Sequence, residues 1–224
     1  MFSKAPVVGQ VKTRLAAELG SDLAAQLQQA FIRDIGRRFS QQDTITPIRL
    51  VAVCTPHTEF PVFAELSQMG WALWLQGDGD LGARLKRAIR RSVEKGAERI
   101  VVIGSDSPTL PTELVEMAFA ALRHTEVVIG PAFDGGYYLI GLNRELVAPF
   151  EGIDWGRPTV FSSTMARIEE AHISCTVLPF WYDIDQLDDL SLLARTVGLP
   201  GPYGRIDAPA TETLLARIDR QSTK

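Results

Sequence analysis

The sequence has 224 residues, 46% hydrophobic and 22% charged, with a net charge of −4. That length and balance suit one α/β domain with a sizeable core and a small appendage. The acidic balance leaves no basic excess to serve as a general nucleic-acid footprint, and no apolar run approaches the ~20 residues of a membrane span. The N-terminus lacks the apolar core of a signal peptide. Cys54 and Cys175 sit in strand-like apolar runs, so two reduced thiols in a cytoplasmic protein are expected, not a disulfide or a metal pair.

The chain opens MFSKAPVVGQVKTRL, with Lys4, Lys12 and Arg14 around a turn at Pro6 and Gly9. A helix is predicted over 11–19. The next, over 21–39, carries Leu23, Leu27, Phe31, Ile35 and Phe39 at helical spacing, with Ser21 as N-cap. Strands are expected at 48–56 and 71–77, then a helix over 81–95 closed by Gly96. The segment 99–106 is the strongest strand, and its unbroken run Ile100–Ile103 suits a sheet covered on both faces. A helix over 111–122, strands at 126–131 and 136–142, and a helix over 160–172 follow. The run 175–185 reads as extended and 188–197 as helix. The Pro/Gly cluster GLPGPYG then precedes a short terminal helix.

This alternation predicts an α/β three-layer sandwich with a mostly parallel central sheet, whose ligands bind at the carboxyl ends of the strands. The expected division is a domain over 1–198 and a C-terminal extension over 199–224.

Polar residues just after strands are therefore the candidates. Lys12 and Arg14 fall in a first helical turn, where cations are mildly unfavourable unless an anion binds. A phosphate site is expected there; the alternative is a solvated basic turn. Asp106, in GSDSPTLP, can hold Mg²⁺ or Mn²⁺, or cap its own backbone in a turn. In YDIDQLDDL, strand alternation puts Asp183 and Asp185 on one side, where a cation would relieve their repulsion. Alternatively Asp185 N-caps the next helix, and both roles can coexist. Asp134 precedes Gly135 and Gly136 in a hairpin turn, where it could also bind acceptor hydroxyls or act as a base. QGDGDLGARL is either a capped loop or a backbone cradle for a nucleoside. Trp155 is a loop anchor or a stacking platform, and His57 and His172 read as surface residues.

Together FSKAPVVGQVKTRL, QGDGDLGARL, IGSDSPTLP, GPAFDGGYYLIGL and DIDQLDDL resemble the motifs of small bacterial GT-A-type glycosyltransferase-like proteins, some of them associated with arsenosugar biosynthesis. The resemblance runs to Arg195, and is more distant to 2-phospho-L-lactate guanylyltransferase and the molybdenum-cofactor guanylyltransferases. It implies the nucleotide-diphospho-sugar transferase (GT-A, Rossmann-like) fold. It further implies that Lys4, Gly9, Lys12 and Arg14 contact nucleotide phosphates, and that Gly79, Asp80, Leu81 and Gly82 line the nucleoside. Asp106 and Asp185 would be the metal-binding acids, with Asp183 auxiliary. Asp134, Gly135, Gly136 and Trp155 would form the acceptor side. The chain departs from the family at Gly156 and Arg157, where a Trp-Ser-Thr-like triplet is usual, and at Gln186, where Thr is usual. Only Met1–Ser3 precede Lys4, so a start further upstream or a very short first strand is expected.

The expected activity is a Mg²⁺- or Mn²⁺-dependent transferase using a nucleotide-diphosphate sugar, with Asp106 and Asp134 as catalytic residues. The alternatives are nucleotidyl transfer with pyrophosphate release and a silent nucleotide-binding module. Its partners would be a nucleotide or nucleotide-sugar and a small-molecule acceptor, with no nucleic acid; a homodimer stays open.

Overall fold

The structure, a computed structural model, describes residues 1–41 and 48–222, with side chains described as far as Ile218. In chain order the elements are β1 (Phe2–Lys4), α1 (Thr13–Leu19), α2 (Ser21–Ser40), β2 (Val51–Thr55), α3 (Pro61–Gln68), β3 (Ala72–Leu75) and α4 (Leu81–Glu94). Then come β4 (Ile100–Ile103), α5 (Thr112–Ala121), β5 (Val127–Pro131), β6 (Tyr137–Leu142), α6 (Val160–Glu170) and β7 (Cys175–Val177). The chain finishes with α7 (Leu187–Thr196), β8 (Pro200–Gly201), β9 (Gly204–Arg205) and α8 (Pro209–Ser222).

These elements form two compact units. One comprises residues 1–75, 105–111 and 184–224; the other comprises 76–104 and 112–183. In the first unit, β1, β2 and β3 form a parallel sheet in that order, with Phe2 opposite Val53 and Val53 opposite Trp74. Parallel neighbours need long crossovers, supplied here by α1 and α2 between β1 and β2, and by α3 between β2 and β3. Leu27, Phe31 and Ile35 on α2 are fully buried, as their spacing predicts. The sequence reading lacks α3. It is only eight residues long, starts at Pro61, and buries Val62, Phe63 and Leu66.

In the second unit the order is β4-β6-β5-β7. β6 runs antiparallel to β4 and β5, and β7 runs parallel to β5. Among the paired strands of both central sheets, β6 alone runs against its neighbours, so the α/β fold is mostly parallel as expected.

Several boundaries shift for physical reasons. Helix α1 starts at Thr13, and Lys12 is its N-cap in a left-handed conformation. Gly20 rather than Ser21 caps α2. The extended run at 175–185 shrinks to β7: Leu178 N still donates to the Ile129 carbonyl, but the next donor on β5 would be Pro131, which has no N–H with which to continue the ladder. Strand alternation therefore does not govern Asp183 and Asp185. Asp183 belongs to the second unit and Asp185 to the first. Among the described residues, no helix is long and apolar enough to cross a membrane.

Candidate active site

In the first unit, one lysine organises two acids. Lys12 Nζ donates to Asp185 Oδ1 at 3.0 Å and to the Ile184 carbonyl at 2.7 Å, and forms a close ion pair with Asp106 Oδ1. The ammonium also lies 5.3 Å from the Phe31 ring centroid. The Lys12 side chain is only 3% exposed, whereas those of Asp106 and Asp185 are 44% and 39% exposed. Burial disfavours the charge on Lys12, but the two carboxylates outweigh it and hold its pKa above the ordinary lysine value.

The local backbone explains the convergence. Ile184 N donates to the Asp106 carbonyl at 2.9 Å, stitching the two acidic segments together. Asp189, not Asp185, takes the amides at the start of α7, accepting from Asp185 N at 3.0 Å and Gln186 N at 2.8 Å. Gln186, not Asp185, is thus the N-cap of α7, with Asp189 at the third helical position completing a capping box, and the Asp185 carboxylate is left for Lys12. Buried Gln28 donates to Ser105 Oγ at 2.9 Å and to the Lys4 carbonyl at 3.4 Å, fixing the approach to Asp106. Lys4, Gly9 and Arg14, expected beside Lys12, are exposed; of that set, Lys12 alone is paired with the acids.

Two carboxylates share one lysine charge, and their half-exposed oxygens are hard donors. That chemistry fits Mg²⁺ or Mn²⁺. Among the described residues no group of three acidic, histidine or cysteine side chains converges. Water and ligand phosphates would therefore complete any coordination sphere there.

The second unit holds the remaining candidates. Asp80 caps α4, accepting from Ala83 N at 2.7 Å. Two arginines one turn into α4 grip the preceding Gly-rich loop. Arg84 donates to the Gly79 carbonyl at 2.8 Å, and Arg87 donates to the Asp78 carbonyl at 2.9 Å and to that of Gln76. The sequence reading lacks both; their signal was a pair of arginines three residues apart just behind the loop. Leu81 is exposed and Gly82 is buried. A Cβ on Gly82 would lie 3.0 Å from both Trp155 Nε1 and the Phe150 carbonyl, so the glycine admits Trp155. That indole meets Tyr137 edge-on, with centroids 6.4 Å apart. The Tyr137 hydroxyl and Thr164 Oγ1 are buried beside one another, and burial outweighs the Thr164 contact and pushes the Tyr137 pKa up. Asp134 Oδ1 accepts from Gly136 N at 2.8 Å, closing the hairpin turn. Gly135, at φ +88°, faces the Pro158 backbone with no room for a side chain.

Residues 38–157 match a family described as an uncharacterized protein conserved in bacteria (DUF2064). A crystal structure from Desulfovibrio desulfuricans G20, of a candidate nucleotide-diphospho-sugar transferase, is similar at 34% identity and TM-score 0.84, covering 98% of this chain and 93% of that one. Two more distant structures share the fold. A cytidylyltransferase from Leptospira borgpetersenii serovar Hardjo-bovis (strain JB197) matches at 12% identity and TM-score 0.51, covering 99% of this chain and 93% of its own. A CMP:2-keto-3-deoxy-manno-octonic acid synthetase complexed with CTP matches at 11% identity and TM-score 0.51, covering 86% and 94%. No curated protein matches the sequence. The chain therefore belongs to the DUF2064 family, has the nucleotide-diphospho-sugar transferase fold, and is an enzyme of the transferase class.

Proposed function

We propose that the protein moves a glycosyl group from a nucleotide-diphosphate sugar to a small-molecule acceptor, assisted by Mg²⁺ or Mn²⁺. The observation that carries this reading is the pair Asp106 and Asp185 held on buried Lys12. Preset charges need no reorganisation as phosphate charge develops. Lys12 orients both carboxylates, and Asp106 and Asp185 would hold the cation, with Asp183 auxiliary. Bound metal would supply neutralisation of the leaving nucleoside diphosphate.

The same reading gives the nucleoside to Gly79, Asp80, Leu81 and Gly82, with Arg84 and Arg87 holding that loop. It gives the acceptor to Asp134, Gly135, Gly136 and Trp155. Asp134 takes the acceptor hydroxyl proton as the oxygen bonds to the anomeric carbon; the bond from that carbon to the diphosphate breaks, and nucleoside diphosphate leaves. The relative at 34% identity, itself a candidate nucleotide-diphospho-sugar transferase, supports this choice. Free Cys54 and Cys175 suit a cytoplasmic location.

A second reading is nucleotidyl transfer, in which an acceptor phosphate attacks a nucleoside triphosphate and pyrophosphate leaves. The fold shared with the CTP-bound synthetase favours it. Incubation with each nucleotide-sugar and each nucleoside triphosphate, with Mn²⁺ present, separates the two. Nucleoside diphosphate released from a sugar donor supports the first. Pyrophosphate release that depends on a phosphorylated acceptor overturns it.

A further inference from the structure

We propose that Arg38 is a positioning residue for Asp106, acting by tying the Asp106 loop to the C-terminal segment. The inference rests on the reading above that Asp106 serves the transfer. Residues 105–111 form an irregular loop that is nonetheless almost wholly buried. Ser105, Ser107, Thr109 and Leu110 are each 3% exposed or less. A buried backbone without regular structure must find partners for its carbonyls elsewhere.

Arg38, on α2, supplies them. Its Nη1 donates to the Pro108 carbonyl at 2.6 Å and the Leu110 carbonyl at 3.2 Å, while Nη2 donates to the Asp207 carbonyl at 2.7 Å. A guanidinium has five donors in a rigid fork and no acceptor, so one side chain can join two segments this way. One turn earlier on the same face of α2, buried Asp34 accepts from Ala210 N, Thr211 N and Thr211 Oγ1 at 2.9, 2.8 and 2.7 Å. Asp34 thereby docks the start of α8, so the Asp207 carbonyl that Arg38 grips belongs to an anchored segment. The loop is then held at one end by Gln28 on Ser105 and at the other by Arg38. Asp106 lies between, with its carbonyl taken by Ile184 N and its carboxylate on Lys12. The C-terminal segment is therefore part of the scaffold of the acidic pair.

The test compares full-length Arg38→Met, Arg38→Lys and Arg33→Met. Arg33 also lies on α2, but pairs with Glu65 at 2.6 Å and serves as the control. Arg38→Met should raise amide exchange at Ser107, Thr109, Leu110 and Ile184 by about tenfold, the loss of roughly one net hydrogen bond. Mn²⁺ binding should weaken by a similar factor. Arg38→Lys should recover part of both, because an ammonium can reach one carbonyl, and Arg33→Met should change neither. Loop exchange no faster than in Arg33→Met overturns the inference, as does a rise spread equally over β1–β3. Should Arg38→Met fail to fold, Arg38→Lys carries the test, and unchanged loop exchange overturns it. If the exchange pattern appears but the wild type binds neither Mn²⁺ nor any nucleotide, Arg38 still positions the loop and the transfer reading fails.

Discussion

The carboxylates of Asp106 and Asp185 converge on one ammonium, that of Lys12, which is nearly buried while they are half exposed. Removing it leaves two like charges facing one another. Deleting one partner of a fully buried pair costs about 3–5 kcal/mol, but here the survivors reach water. Lys12→Met should therefore destabilise by about 2 kcal/mol in denaturant unfolding and abolish measurable turnover. A variant as active as the wild type would remove Lys12 from the chemistry.

The same pair gives a pH signature. Lys12 has a folded pKa above its unfolded value near 10.5. Its stabilisation is fully present below that unfolded value and is lost as pH rises through the higher folded one. The gap in unfolding free energy between wild type and Lys12→Met should stay level from about pH 7 to pH 9 and close only above the ordinary lysine range. A gap that closes below pH 9 contradicts the ion-pair account.

Asp134 separates structure from chemistry. Its Oδ1 closes a turn on Gly136 N, and an asparagine side-chain oxygen can accept the same bond. Asp134→Asn should leave the unfolding free energy within about 0.5 kcal/mol of wild type. If the carboxylate is the base, kcat should fall by about 100-fold or more while KM for the donor holds. Unchanged kcat would leave Asp134 as a turn residue alone.

How far the sequence foretold this depends on the distance over which each signal acts. Signals within one element marked α2 by its helical spacing, β4 by its unbroken apolar run, α4 by its closing Gly96 and the β5–β6 hairpin by the Gly135-Gly136 turn between two apolar runs. The short helix α3 escaped because eight residues beginning Pro61-Val62-Phe63 give barely two turns of periodicity. Asp106 and Asp185 were legible because each closes an apolar run. That Lys12 is their common partner was not, since cations beside a turn suggest an external anion when burial is unknown. Asp185 and Gln186 are adjacent, so either could be the N-cap of α7; only the backbone path shows that Gln186 is, with Asp189 accepting from its amide in a capping box. Arg37 and Arg38 stand side by side in the sequence, and nothing there marks Arg38 as the one that reaches three carbonyls.

Two glycines predict unequal costs for the same added methyl. Gly82 lies in the first turn of α4, where alanine gains at most about 1 kcal/mol in helix propensity. Its new Cβ would sit 3.0 Å from Trp155 Nε1 and the Phe150 carbonyl, a crowding worth about 1–3 kcal/mol. The net loss for Gly82→Ala should be about 1 kcal/mol, with Trp155 displaced. Gly135 has no such offset. Its φ of +88° disfavours any side chain, and the Cβ would collide with the Pro158 backbone, which cannot swing aside. Gly135→Ala should cost about 3 kcal/mol or more. Denaturant midpoints of the two variants decide the point: Gly82→Ala the more damaging of the two would mean that the 132–136 turn is far softer than its geometry implies.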